Sequence, residues 1–208
     1  MAALGWKRIR KSETVDFLNP CGNRGRPRRA APTVEPMQDH SMIVLETERL
    51  ILRGLNAGDA PFILALLNEP SFLRYIGDKK VRTVEDATQY ILNGPAASYE
   101  RHGFGLCLVE LKDTHTPIGI CGLLKRDELP DPDIGFAFLP DFWNKGYAFE
   151  SSAAVLHDAR ERLNIERILA ITNQDNEPSI KLLQKLGLHI ERVIKMSTDS
   201  TELFLLST

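Results

Sequence analysis

Hydrophobic positions become regularly spaced only from Glu46 onward. Thr47-Glu48-Arg49-Leu50-Ile51-Leu52-Arg53 has the pattern of a half-buried strand. Asp59 is placed to cap a helix carrying Phe62 and Leu66, interrupted near Pro70. Thr83-Val84-Glu85-Asp86 resembles a capping box and opens a second helix through Ala87, Tyr90 and Ile91. Strands are expected at Gly105–Leu111 and Ile118–Leu124, joined by a polar turn at Asp113-Thr114-His115. An acidic loop, Asp127–Asp133, leads into a strand over 133–139. Phe149, Ala153, Leu156, Ala159 and Leu163 then share one helical face. Arg167–Thr172 reads as a strand, 178–186 as a short helix stopped by Gly187, and 189–196 and 202–206 as closing strands. The order β-α-α-β-β-β-α-β-α-β-β predicts an α/β domain with a mixed sheet.

The chain has 208 residues, enough for one domain plus a tail. Residues 1–42 carry little apolar periodicity, six Pro or Gly breaks from Pro20 to Pro36, and the cluster Arg24, Arg26, Arg28 and Arg29. They are expected to be a poorly ordered basic extension preceding a domain over 43–208. An over-long start, a transit peptide and a polyanion-binding tail are the readings for this extension, and no signal-peptide core follows Lys11. The net charge is uneven. Residues 1–42 hold 8 basic and 4 acidic side chains, leaving 18 − 24 = −6 for the remainder. An acidic domain disfavours nucleic acid and suits amine substrates. Cys21, Cys107 and Cys121 share no ligand-like spacing and the five histidines are scattered, so neither a disulfide framework nor a metal site is expected. The apolar runs are strand-sized, far below the ~20 residues of a membrane span. A cytoplasmic, reduced protein is the expectation.

Two stretches carry candidate chemistry. Phe142-Trp143-Asn144-Lys145-Gly146-Tyr147-Ala148-Phe149-Glu150 joins a strand to a helix through a Gly turn. Such a turn aims several backbone N–H groups at one spot, where the helix dipole adds about half a positive charge. Neither the Walker pattern nor the dinucleotide-fold glycine pattern is present. Taken alone, the turn reads equally as a tight connection. Asn173, Asn176 and Ser179 surround the next strand-to-helix junction. If two parallel strands splay apart there, their unpaired backbone groups can hold an extended amide ligand as a pseudo-strand, with Asn173 and Ser179 at the gap. Alone, Asn176 and Ser179 read first as capping and turn residues.

Together the two stretches resemble the GNAT acetyltransferase superfamily, and within it the Rim-type branch that acetylates N-termini of ribosomal proteins. Trp143-Asn144-Lys145-Gly146-Tyr147-Ala148-x-Glu150 is similar to that branch's acetyl-CoA pyrophosphate loop. Asn173-x-x-Asn176-x-x-Ser179 with Lys185-x-Gly187 is similar to its second motif, although Leu188 replaces the usual Phe. Glu46-Thr47-Glu48-Arg49-Leu50-x-Leu52-Arg53 matches its opening. The resemblance covers about residues 45–208. It implies a mixed six- to seven-stranded sheet with splayed central parallel strands and about four helices. It implies acetyl-CoA as co-substrate, its pyrophosphate on Asn144 to Phe149 and its pantetheine along Phe138-Leu139.

Direct attack of a primary amine on the thioester is also implied, so no cysteine nucleophile is needed. The acceptor is an amine, a protein N-terminus or a small molecule, and a homodimer is left open. An α-amine near pKa 8 needs about 1.4 kcal/mol for deprotonation at neutral pH, a Lys side chain about 4–5 kcal/mol. Modest base help therefore suffices for an α-amine. Asp133 is the candidate base, with Asp127, Glu128 and Asp131 as alternatives. Many GNAT enzymes carry a Tyr acid where this chain has Leu183. Ser179 is the branch's proposed partner for the leaving sulfur. The missing Tyr keeps a non-catalytic acyl-CoA sensor open as an alternative, and the Arg cluster a nucleic-acid-associated protein.

Overall fold

The computed structural model describes residues 45–196 and 199–208. The expected basic extension over 1–42 lies outside the described residues. The strands are β1 (Leu45–Glu46), β2 (Leu50–Gly54), β3 (Leu106–Leu111), β4 (Pro117–Leu124), β5 (Asp133–Phe138), β6 (Leu169–Asn173), β7 (His189–Met196) and β8 (Asp199–Ser207). The helices are α1 (Ala60–Leu67), α2 (Pro70–Tyr75), α3 (Val84–Ile91), α4 (Ala97–His102), α5 (Tyr147–Glu161) and α6 (Glu177–Lys185). Pro70 does break the first predicted helix, giving α1 and α2. The sequence reading missed α4 because Gly94-Pro95 looks like a stop. The chain instead passes through a π-turn at Leu92–Ala96 and continues.

One eight-stranded sheet runs in the order β1-β2-β3-β4-β5-β6-β8-β7. Every pair is antiparallel except β5 and β6, which are parallel and meet at a single register position, Asp133 opposite Leu169. Leu169 N donates to Pro132 O at 2.9 Å there, and beyond it the strands diverge. Each face of the sheet has its own core. On one face Leu55, Ile63, Leu67, Ala87 and Ile91, from α1, α3 and the chain leading to them, pack on Leu106, Leu108 and Ile120. On the other, Val155, Leu156 and Ala159 of α5 and Leu183 of α6 cover Leu52, Cys121, Ile134 and Ala170. These two layers hold β5 and β6 from opposite sides while their C-terminal ends stay apart.

The α1 side is anchored by an ion triad. Arg53 Nη1 and Nη2 bond Asp59 at 2.9 and 2.8 Å, and Nη2 reaches Glu110 Oε1 at 2.7 Å. Both carboxylates are nearly buried, at 9% and 8% exposure. Asp59 also accepts from Asn56 N, so the triad fixes the turn that launches α1. Removing the cation leaves two buried charges uncompensated. Arg53→Met is expected to cost about 3–5 kcal/mol, measured by denaturant unfolding. A loss below about 1 kcal/mol would show that the triad does not anchor α1.

Candidate active site

The divergence of β5 and β6 leaves backbone groups facing the gap, and strand alternation identifies them. Leu139 N donates to Ile118 O on β4, so Ala137 and Gly135 also direct their bonds toward β4. Phe136 and Phe138 therefore turn their N–H and C=O groups to the gap. On the opposite side, Thr208 N bonds Ile168 O, and Ala170 and Thr172 pair toward β8. That leaves Ile171 and Asn173 facing β5. Two details modify the sequence expectation. Leu139 has no backbone group to offer, since its N–H goes to Ile118 and its C=O accepts from Phe142 N. Phe138 C=O is taken by Trp143 Nε1 at 2.7 Å, leaving its N–H. Phe136 and Ile171 are the gap-lining residues that the sequence reading missed; only the register of the sheet reveals them.

At the open end of β5 the chain turns through Pro140–Phe142 and then Asn144 and Gly146, both left-handed with φ of 58° and 83°. Asn tolerates this conformation and Gly adopts it freely. Alternating left-handed residues draw successive N–H groups onto one side, as in an anion nest. Helix α5 follows with no side-chain cap, and its first backbone bond is Glu150 N to Gly146 O. The N–H groups of Tyr147, Ala148 and Phe149 are thus free to bind an anion. A side chain on Gly146 would also meet Arg49 Nη2 at 3.2 Å.

Arg49 and Thr47 explain why the strand-opening motif belongs with this loop. Glu150 Oε1 accepts from Thr47 Oγ1 at 2.5 Å and Arg49 N at 2.9 Å, and Oε2 from Arg49 Nε at 2.7 Å. Arg49 Nη1 reaches Lys145 O at 3.0 Å, and its guanidinium lies over the Tyr147 ring. The loop is clamped from behind, and its N–H groups are left to a ligand. Lys185 Nζ sits over the Phe149 ring at 4.5 Å, tying the end of α6 to the first turn of α5.

Asn173 ends β6. Its Nδ2 donates to Tyr75 O at 3.0 Å, while its Oδ1 is buried with no partner. A buried orphan acceptor beside two unpaired strand edges fits an amide N–H of an extended ligand. Asn176 is the N-cap of α6, accepting from Ser179 N at 3.3 Å. Its side chain serves the helix, as the capping reading expects, and the cap sets the orientation of Ser179 in the first turn. Ser179 is half-buried and its hydroxyl bonds nothing among the described residues. Leu183, at the usual Tyr position, is a core residue at 1% exposure.

Asp133 lies at the closed end of the gap and is only 1% exposed. Both its oxygens accept from Arg126 Nε at 3.0 Å. Burial pushes its carboxyl up, and the Arg126 cation and hydrogen bond pull it partly back. It is a shielded carboxylate, so direct proton transfer from an acceptor is blocked in this conformation. The 125–132 loop is equally fixed. Leu129 is buried, Lys125 Nζ bonds Leu129 O and Pro130 O, and Asp131 pairs with Arg167 at 3.0 Å. Cys107 and Cys121 are free and buried, pushed up to about 12 and about 11 chiefly by burial, so both stay thiols. No grouping of three or more potential metal ligands exists among the described residues.

Burial alone would raise the Glu150 carboxyl, but bonds from Thr47 and Arg49 outweigh it and hold it below 4.5. A depressed carboxylate stabilises the fold above its unfolded pKa, and that contribution is lost as pH falls through the folded value. Glu150→Gln is expected to destabilise by about 1 kcal/mol at neutral pH, discounted for the exposed Arg49 partner. The difference should shrink below pH 4.5 in paired thermal melts. A pH-independent difference would mean the clamp is not ionic.

The comparisons agree with this geometry. Residues 49–189 match the family model of the acetyltransferase (GNAT) domain. The uncharacterized N-acetyltransferase YoaA of Bacillus subtilis is 32% identical over 153 residues, 73% of this chain and 86% of the relative. The crystal structure of an acetyltransferase from Agrobacterium tumefaciens superposes with a TM-score of 0.70 at 22% identity, covering 81% of this chain and 95% of that one. The ribosomal α-N-protein acetyltransferase RimL, in complex with coenzyme A, superposes at 0.69 with 15% identity, covering 80% and 97%. Among the described residues no helix is long and apolar enough to cross a membrane. With residues 49–189 matched by that family model on this α/β framework, the chain belongs to the GNAT acetyltransferases, a family that uses acetyl-CoA.

Proposed function

We propose that the protein transfers the acetyl group of acetyl-CoA directly to a primary amine in a ternary complex. The observation that carries this reading is the gap itself. Two strand edges and an orphaned Asn173 Oδ1 line the gap, and β5 leads from it into a helix start with the free N–H groups of Tyr147, Ala148 and Phe149, groups that suit a pantetheine arm and a pyrophosphate. Acetyl-CoA supplies the activated thioester when bound. Phe136 and Phe138 N–H on β5 and Ile171 on β6 orient its amide arm. Gly146, Lys145 and the N-terminus of α5 hold its pyrophosphate.

Positioning does most of the catalytic work, because an α-amine needs little base assistance. Asp133 takes part as base only through water, since Arg126 shields its carboxylate. Ser179 Oγ, unbonded and half-buried in the first turn of α6, donates to the leaving sulfur. The free, buried Cys107 and Cys121 suit a reducing cytoplasm. The core placement of Leu183 favours a second reading, an acyl-CoA-binding module without turnover.

A panel of primary amines, including protein N-terminal peptides, polyamines and amino acids, separates the two with CoA release as readout. Transfer to at least one amine is expected. Tight acetyl-CoA binding with no release across the panel would establish the binding module instead. Ser179→Ala should lower kcat by about tenfold while acetyl-CoA affinity holds. Trp143→Phe keeps the ring but loses the bond to Phe138 O, and should raise the KM for acetyl-CoA about fivefold with little change in kcat. The opposite split in either variant would remove the role given to that residue.

A further inference from the structure

Arg126 spends one donor on Asp133 and keeps the rest. Only its Nε contacts the carboxylate, at 3.0 Å to each oxygen. Nη1 and Nη2 donate to nothing among the described residues, and the side chain is 34% exposed. Elsewhere this chain pairs buried or helical carboxylates through the guanidinium fork. Arg53 uses Nη1 and Nη2 on Asp59, and Arg162 uses Nε and Nη2 on Asp158. A fork is the stronger geometry for simple neutralisation. At Asp133 it is not used, and the bidentate edge of Arg126 is left for something else.

The location limits what that can be. Arg126 follows β4 where Leu124 stands opposite Asp133, at the closed end of the gap. It lies on the α3 side, where its charge reaches the Tyr90 phenol. Asp133, at 1% exposure, holds the guanidinium in place from beneath. The apolar side chains of Ile171, Ile194 and Met196 cluster with Leu129 on the neighbouring strands. Three strand residues, about 10 Å, separate Asp133 from Phe136, where the gap has opened. An anion on Arg126 would sit within about three residues of extended chain from an amine reaching that gap. Residues 43–208 carry a net charge of −6, so an anionic substrate needs a dedicated cation to be held here.

We propose that Arg126 binds a carboxylate on the acceptor through Nη1 and Nη2, so that the substrate is an amine bearing an acidic group within about three residues of its nitrogen. The proposal rests on the reading of the gap as an acetyl-CoA-dependent N-acetyltransferase site. A free acidic amino acid and a peptide N-terminus with an early Asp or Glu supply the same chemistry.

The test measures CoA release by the full chain with two acceptor pairs: glutamate α-amide against glutamine α-amide, and the dipeptide amides Ala-Glu against Ala-Gln. In at least one pair the carboxylate member should have a kcat/KM about tenfold or more above its amide isostere, and the pair that responds identifies the source. Arg126→Lys keeps a charge beside Asp133 but removes the planar edge. It should cut that ratio below about threefold with the acetyl-CoA KM unchanged, because any effect carried through Asp133 falls on both members of a pair and cancels in the ratio. Equal rates within both pairs, or a preference that survives Arg126→Lys, overturns the proposal. If Arg126→Lys does not fold, the wild-type ratio decides. Failure to bind acetyl-CoA, or to acetylate any amine, overturns the parent reading instead.

Discussion

Everything in the cleft depends on β5 and β6 being joined at one end only. The single bridge from Asp133 to Leu169 is tight, and the loop before it is pinned by Arg126, Lys125 and Asp131. Past that point each strand satisfies only its outer partner, β4 or β8. Unpaired strand edges are costly in a core unless something completes them. Here they are retained in register on both sides of one gap, with two separate hydrophobic layers keeping the strands from closing. The opening is a property of the packing, not of a loose segment.

The clamp behind the anion loop is the complement of that constraint. Thr47 and Arg49 precede Glu150 by 103 and 101 residues, yet together they fix the loop at the open end of β5. Charge is spent on the back of the loop so that the front remains free. The Arg126–Asp133 pair applies similar logic at the opposite end. One charged group is held by a buried partner, and its remaining donors stay unpaired among the described residues.

Much of this was legible in the sequence, for identifiable reasons. Gly146 and Asn144 mark the left-handed loop because few other residues tolerate that backbone. Asn176 and Gly187 mark the limits of α6 through capping chemistry. The family resemblance grouped the Thr47–Arg49 segment with the loop, and only the coordinates supplied the ionic reason. Register was not legible. Choosing Phe136 over Leu139 depends on which strand edge faces outward, and a one-residue shift reverses that. The shielding of Asp133 was equally invisible, since a carboxylate at a strand start gives no sign of its burial. The strand beyond the seven expected is β1, the dipeptide Leu45–Glu46, too short to show a period.

Backbone hydrogen exchange with and without acetyl-CoA tests most directly whether the splayed gap is the donor site. Protection should rise at Phe136, Phe138, Ile171 and Asn173, and across residues 144–149, while β2, β3 and β7 remain unchanged. Protection confined to another part of the sheet, or none at saturating acetyl-CoA, would contradict it.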